Sequence, residues 1–411
     1  MSTRARGERP YQGRVRGGWR GWRGGRTGRP SAPPTPPPPP PLGDLLATIQ
    51  DDDLEDDTSE SHSLVQITNT QYLTSYNWVS GGHSEIIVPG EPPEWTPLPK
   101  AVSLSEDSGV YFRDLNSARH PTYPLEPMIR AILRDRPDFG VKNVDIVGCG
   151  STLGNLLRFA RGQSPAFRML IEVVGNTVFF SRRENSPKET LQGVFGFGHT
   201  FPEAYTTWSQ GVRKSESHQR LINFEFANLN CVVRFEADGY LPDLLPDDLK
   251  TQKGTISSKS VTEPEELLES IQAAMISTIH SGISQQESNA LKISTGVAIF
   301  HNMGRLWIRQ IPNFILAYHK LGKFDDIRVQ DVREEMKHWE ESEQPSLRKF
   351  ANLLQMIVSF VRSAEDGKLE IEHGEDEEVL NFRSPGGIVS SVLPLDLEDT
   401  WDAHNSSNLE S

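Results

Sequence analysis

Apolar and polar positions alternate most cleanly in CVVRFEADGYLP, Cys231 to Pro242, where Val233, Phe235 and Ala237 are set against Arg234, Glu236 and Asp238. A period of two predicts a β-strand with one apolar face, and Glu236 and Asp238 then share the other face. The same period recurs around it. VDIVGCG predicts a strand, FRMLIEVVGNTVFFSRR predicts two strands turned at Gly175-Asn176, and RLINFEFANLN predicts a partner joined near Asn228 to Asn230. Downstream, ALKISTGVAIF, FILAYHK, IRVQDV and KLEIEHG read as further strands.

Helical spacing appears between them. STLGNLLRFARG follows the first strand with Ser151 or Thr152 as its cap, Glu126 to Arg134 carries Pro127 in its first turn, and HTFPEAYTTWSQGVRK is opened by Pro202. SLRKFANLLQMIVSFVRSA places Leu347, Phe350, Leu354, Ile357, Phe360 and Val361 on one side of an amphipathic helix. GRLWIRQIPN reads as a helix or turn. Residues 243–288 are polar and broken, with one helical piece at Glu263 to Ile279, and read as an insertion. The fold class expected is α/β (α+β): a mixed or antiparallel central sheet flanked by helices.

Charge divides the chain. Residues 1–30 hold nine Arg and one Glu, a net of +8, so a whole-chain charge of −14 leaves −22 for the rest. With Tyr11, Trp19 and Trp22 interleaved among Arg and Gly, this stretch reads either as an RNA-binding arm or as a solubilising or import-directing tail. A polyproline spacer follows at 31–41, then the acidic run DDDLEDDTS at 51–59, read as solvated linker. The expected domains are a disordered arm over 1–62, one domain over 63–383 and an acidic tail over 384–411. Two cysteines, Cys149 and Cys231, exclude a disulfide framework and fit a reducing compartment. No apolar run reaches 18 residues, so no membrane contact is expected, and the location read is nuclear or cytoplasmic, with the nucleus favoured.

Two carboxylates a few ångströms apart repel unless a proton or cation lies between them. Glu236 and Asp238 are therefore either divalent-metal ligands or the solvated face of an edge strand. Lys292 in ALKIST, on a second strand, would complete the layout of a metal-dependent phosphodiester hydrolase, in which a lysine positions or polarises the attacking water.

In that order of pieces the chain resembles the DXO-type decapping nucleases from Val144 to about His373. VDIVGCGSTLGNLLRF and FRMLIEVVGNTVFFSRRENSP resemble the family's early strand, helix and hairpin. FGHTFPEAY resembles its glutamate-bearing helix, FEADGY its glutamate-hydrophobic-aspartate strand, ALKIST its glutamate-hydrophobic-lysine strand, and RLWIRQIPNFILAYH its tryptophan-and-glutamine helix with the following strand. The resemblance implies a PD-(D/E)xK-like core that hydrolyses RNA 5′ ends by decapping or pyrophosphohydrolase action, with 5′-3′ exonuclease activity alongside. It implies Mg2+ or Mn2+ on Glu203, Glu236 and Asp238, catalytic roles for Lys292, Glu203 and Gln310, RNA as substrate and an exoribonuclease as partner. The sequence also departs from the pattern. Ala290 stands where the family has an acid two residues before Lys292, and Gly148 and Gly150 stand where it has an arginine near the substrate phosphate.

Other readings stay open. Asp248 and Lys250 in PDDLKTQ repeat the acid-to-lysine spacing, but without an apolar face to bury. Losing the acid at Ala290 also fits a catalytically decayed pseudonuclease that binds RNA or protein. Asp52, Asp53 and Asp56 spell the DDxxD motif of prenyl (geranylgeranyl) diphosphate synthases, a chemistry that needs an all-helical bundle.

Overall fold

The longest alternating stretches of the sequence lie side by side in one large sheet. In the computed structural model the described residues are 37–55, 64–163, 165–191, 194, 196–245, 274–282, 302–375 and 377–406. Ten strands pair in the order β1 (Leu45–Ile49), β16 (Leu380–Arg383), β15 (Lys368–His373), β6 (Phe167–Val174), β7 (Thr177–Arg182), β5 (Ile146–Cys149), β10 (Leu229–Ala237), β9 (Ser215–Phe226), β2 (Ile67–Val79) and β3 (Ile86–Ile87). Pairing is antiparallel except that β5 runs parallel to both β7 and β10. A second sheet of six strands runs β14 (Lys323–Asp331), β13 (Asn313–Lys320), β12 (Met275–Gly282), β11 (Gly239–Tyr240), β4 (Glu94–Trp95) and β8 (Thr206–Thr207). The expected class, mixed α+β with sheets flanked by helices, is what the chain adopts.

Strand alternation sorts the core. From β10, Cys231, Val233, Phe235 and Ala237 enter the cluster with Leu153, Leu156 and Leu157 of α3 (Gly150–Ala160), Leu306 and Trp307 of α5 (302–309), and Phe350 and Leu354 of α7 (Gln344–Ser363). Val232 enters the opposite cluster with Met128, Ile129 and Ile132 of α2 (Glu126–Asp135) and with Leu397 and Trp401 of α8 (Leu395–Ser406). A short α1 (Leu115–Arg119), α4 (Thr200–Tyr205) and α6 (Arg333–Ser342) complete the helices used below. Among the described residues no helix is long and apolar enough to cross a membrane.

Local chemistry sets the turns. Gly175, at φ 60°, turns β6 into β7 as expected, and Ala227 and Asn228, at φ 52° and 62°, turn β9 into β10. At the start of α3 the capping expectation does not hold. Cys149 occupies the N-cap, and the Ser151 and Thr152 hydroxyls pair with its Sγ at 3.1 and 2.6 Å instead of with backbone N–H groups.

Three other expectations are corrected. Residues 275–279, grouped with a helical piece inside the insertion, belong to β12 in the middle of the smaller sheet, because β11 and β13 on either side satisfy its backbone. Structure begins well before residue 63: β1 pairs with β16, and Leu54 in the acidic run is fully buried. The acidic end is built in rather than trailing, since Trp401 is fully buried and its Nε1 donates to Thr177 Oγ1 at 3.0 Å. Asp52 and Asp53 lie in a single 3-10 turn of a sheet protein, which removes the helical-bundle basis of a prenyl diphosphate synthase. Residues 1–36, with the Arg-rich arm, lie outside the described residues.

Candidate active site

β10 runs parallel to β5 only as far as Arg234, which registers with Cys149. Beyond that point β5 turns into α3, while β10 continues beside β9 for Phe235, Glu236 and Ala237. Glu236 therefore overhangs the start of α3, at the carboxyl ends of parallel strands, where open α/β sheets form crevices. One residue later the chain leaves the large sheet. Asp238 is the single residue between β10 and β11, and so between the two sheets. Gly239 follows because a Cβ there would meet the Pro93 carbonyl oxygen at 2.7 Å. The motif FEADGY is thus the crossing point of the fold.

Water reaches the Glu236 side chain, yet protein atoms crowd it and Asp238 lies close enough to repel it, and its carboxyl is pushed up to about 7. Solvent access preserves part of its hydration, so repulsion by Asp238 is the more durable of the two causes. Beneath it, Arg234 is buried and donates to Pro124 O at 3.1 Å and to Asp114 at 3.4 Å. Burial works against the Arg234 charge, but Tyr76, Asp114 and Cys149 more than offset it and hold the guanidinium above its ordinary range.

An arginine from α5 faces the same place, with a second beside it. Arg309 lies over Gly150, the first residue of α3, and its charge acts on both Glu236 and Asp238. Burial, then the neighbouring Arg305, pull the Arg309 guanidinium down to about 10, which leaves it charged at neutral pH. Arg305, one helical turn earlier, donates from Nη2 to Ser277 Oγ of β12 at 2.9 Å. On the remaining side, the Asp107 carboxylate accepts from the backbone N–H groups of His199 and Thr200 at 3.0 and 2.9 Å and so fixes the start of α4. The His199 ring stacks on Tyr111 with centroids 3.6 Å apart and planes 3° from parallel. Burial lowers its pKa against the pull of Asp107 and Asp238, so His199 is neutral at pH 7.

The residues singled out from sequence are distributed unevenly. Glu236 and Asp238 come together as expected. Glu203 is exposed on α4, whose Phe201 and Tyr205 are buried, and its backbone N–H donates to His199 O at 3.2 Å. Gln310 sits at φ 50° at the end of α5, where its Nε2 donates to Trp307 O at 2.6 Å. Its side chain also lines a separate cleft of about 500 Å³ with Tyr72, Trp307, Arg333, Lys337 and Glu340. Lys292 and Ala290, and the rival Asp248 and Lys250, lie outside the described residues. Among the described residues no three His, Cys, Asp or Glu side chains gather as a metal cluster. Of the two strands beside β11, β12 carries Ser277, which accepts the hydrogen bond from Arg305.

Sequence reasoning missed Arg305 and Arg309. Their signal was the four-residue spacing in RLWIR, where two cations bracket Leu306, Trp307 and Ile308, all buried.

Residues 53–398 match the family described as Domain of unknown function (DUF8563). The chain belongs to that family. No curated protein matches the chain in sequence. Solved structures match it across most of its length. Scheffersomyces stipitis Rai1, in complex with (3'-NADP)+ and calcium ion, superposes with a TM-score of 0.58 at 10% identity, over 88% of this chain and 99% of that one. Candida albicans Rai1, in complex with pU5-Mn2+, gives 0.56 at 11% identity over 85% and 97%. K. lactis Dxo1, in complex with manganese, gives 0.50 at 7% identity over 84% and 99%. The DUF8563 chain therefore has the fold of Rai1 and Dxo1, in a strongly diverged sequence.

Proposed function

We propose that this protein acts on RNA 5′ ends, removing a cap or terminal phosphates by hydrolysis that depends on Mg2+ or Mn2+. The observation that carries this reading is the carboxylate pair at the crossing of the two sheets, within the fold of Rai1 and Dxo1. Its donor set fits a hard divalent ion: both groups are oxygen donors, solvent reaches Glu236, and the repulsion that raises Glu236 is what a dication relieves. Glu236 and Asp238 would hold the ion, with water filling the rest of its shell; Glu203, which does not gather with them, keeps a metal role on resemblance alone. When bound, such an ion supplies a Lewis acid at a phosphoryl oxygen. The chain's own residues do the rest. Arg309 neutralises charge beside the acids, and the His199 ring, stacked on Tyr111, offers a neutral imidazole within electrostatic reach of Asp238. Lys292 is assigned to the attacking water on its resemblance alone, and Gln310 keeps only the place at the end of α5 described above.

The test is incubation of purified protein with 5′-triphosphate, NAD-capped and GTP-capped RNA in Mg2+ or Mn2+. Release of cap or phosphate that disappears in Asp238→Asn is the expected result. No release from any of these substrates overturns the reading. One observation favours a second reading, a pseudonuclease that binds RNA without turnover: Arg309 already places a fixed cation against the acid pair, while Ala290 removes a family acid. RNA binding without turnover, together with turnover gained in Ala290→Glu, would establish it. An intracellular setting, nuclear in preference, belongs to the same proposal and is supported by two free, buried thiols and the Arg-rich 1–30 stretch. An exoribonuclease partner is proposed on resemblance alone.

A further inference from the structure

Arg305 and Arg309 stand four residues apart on α5, on one side of a helix whose intervening residues are buried. The Nε atoms of both are buried and have no hydrogen-bond partner. Buried donors are satisfied in the great majority of cases, so two orphaned guanidinium N–H groups on one helical face need a cause. Arg305 is already held at its other end by Ser277. Arg309 packs closely over Gly150, where a Cβ would lie 3.2 Å from its Cγ and from its Nε and would push the side chain aside by a few tenths of an ångström. A guanidinium presents a planar fork of donors that matches the oxygens of a phosphate, and two forks on one face suit a chain of phosphates.

We propose that Arg305 and Arg309 form an anion receptor that grips the terminal phosphates of an RNA 5′ end beside Glu236 and Asp238. The identity of the ligand rests on the function proposed above; the receptor itself rests on the geometry of α5, α3 and β12. Arginine supplies charge that does not depend on the metal. The receptor therefore discriminates 5′ ends even with divalent ions removed.

Affinities are measured by fluorescence anisotropy in EDTA, with the full chain and one short 3′-labelled RNA carrying a 5′-triphosphate, a 5′-monophosphate or a 5′-hydroxyl. The wild type is expected to bind the triphosphate at least about tenfold more tightly than the hydroxyl, with the monophosphate between them. Arg309→Met is expected to bring that ratio within about twofold while leaving hydroxyl-RNA affinity unchanged, and Arg305→Met to reduce it partly. Arg309→Lys, which keeps the charge and loses the fork, falls between. Tripolyphosphate competing against wild type provides a readout that needs no variant to fold, and it should displace triphosphate RNA but not hydroxyl RNA. Equal affinity of wild type for all three ends overturns the proposal, as does a triphosphate preference that survives both arginine substitutions with folding intact. Loss of cleavage with the phosphate preference retained sinks the hydrolase reading alone. Cleavage without that preference sinks the receptor alone.

Discussion

Arg309 lies across Gly150, with its Cγ and Nε each 3.2 Å from where a Cβ on that glycine would stand. The contact joins the first residue of α3 to the last of α5, and it leaves the long side chain room that any Cβ at 150 would narrow. Gly150→Ala should move the guanidinium by a few tenths of an ångström without altering any charge. The backbone at Gly150 is ordinary helix, so the cost to stability is small. We expect triphosphate-RNA affinity to fall about three- to tenfold, roughly 1 kcal/mol, with a nearly unchanged melting temperature. Titration and thermal melts on the same preparation check both halves, and an unchanged affinity would mean that Arg309 does not serve the ligand from this position.

Trp401 tests whether the acidic end is part of the fold. Its ring is fully buried, meets Phe179 edge-on at 5.7 Å and 69°, and donates to Thr177 Oγ1, which in turn donates to Val144 O at 2.9 Å. The last helix is thereby tied to the strand that leads into the site. Trp401→Ala should cost about 3–5 kcal/mol, the range for truncating a buried aromatic. A shift below about 1 kcal/mol in denaturant unfolding would show that α8 is not integral.

Elements whose partners lie nearby in sequence were legible. The hairpin at Gly175 needs only its own turn chemistry, and the Leu347 to Val361 stripe of α7 needs only an apolar neighbour. β12 was not legible. Its residues follow an alanine-rich helical pattern, and only pairing with β11, more than thirty residues earlier, and with β13, as many later, makes it a strand. The acid pair could be read because period-two spacing brings Glu236 and Asp238 near each other along extended chain, although Asp238 falls one residue beyond the end of β10. The arginines beside it could not, because α5 meets the start of α3 only through tertiary packing, and RLWIR alone reads as a surface with two cations. Trp401 was hidden by its acidic surroundings: one tryptophan carries the contact while its neighbours stay polar.

Glu370 anchors the far side of the large sheet. It is fully buried in β15 and is paired with both Arg168 and Arg183, while the backbone N–H of Gly386 donates to its Oε2 at 3.3 Å. Burial lowers the Arg183 pKa and Glu370 opposes that shift, so the carboxylate stabilises the cation it faces. Glu370→Gln keeps the shape and removes the charge, leaving two arginines uncompensated. The expected loss is about 3–5 kcal/mol, read by urea unfolding. A neutral outcome would show that water already shields this cluster.

Glu236 gives the fold a pH dependence of definite sign. Crowding by protein atoms and repulsion by Asp238 push its carboxyl up from 4.5 to about 7, so the folded state keeps a proton that the unfolded state releases. Stability from this residue therefore falls as pH rises from about 4.5 through 7, and the loss is complete above that. Buried His218, whose pKa is held well below 6.5 by burial and then by Arg220, acts with the opposite sign, since its unfolded form takes up a proton as pH falls. The two are separated by comparing wild type with Glu236→Gln in EDTA. The variant should gain melting temperature relative to wild type at pH 8 and lose that advantage at pH 5. Manganese should then raise the wild-type melting temperature more at pH 8 than at pH 6, because proton and cation compete for the same carboxylate, and it should leave Glu236→Gln largely unmoved. A manganese shift that is equal at both pH values, or equal in the variant, would place the ion away from Glu236.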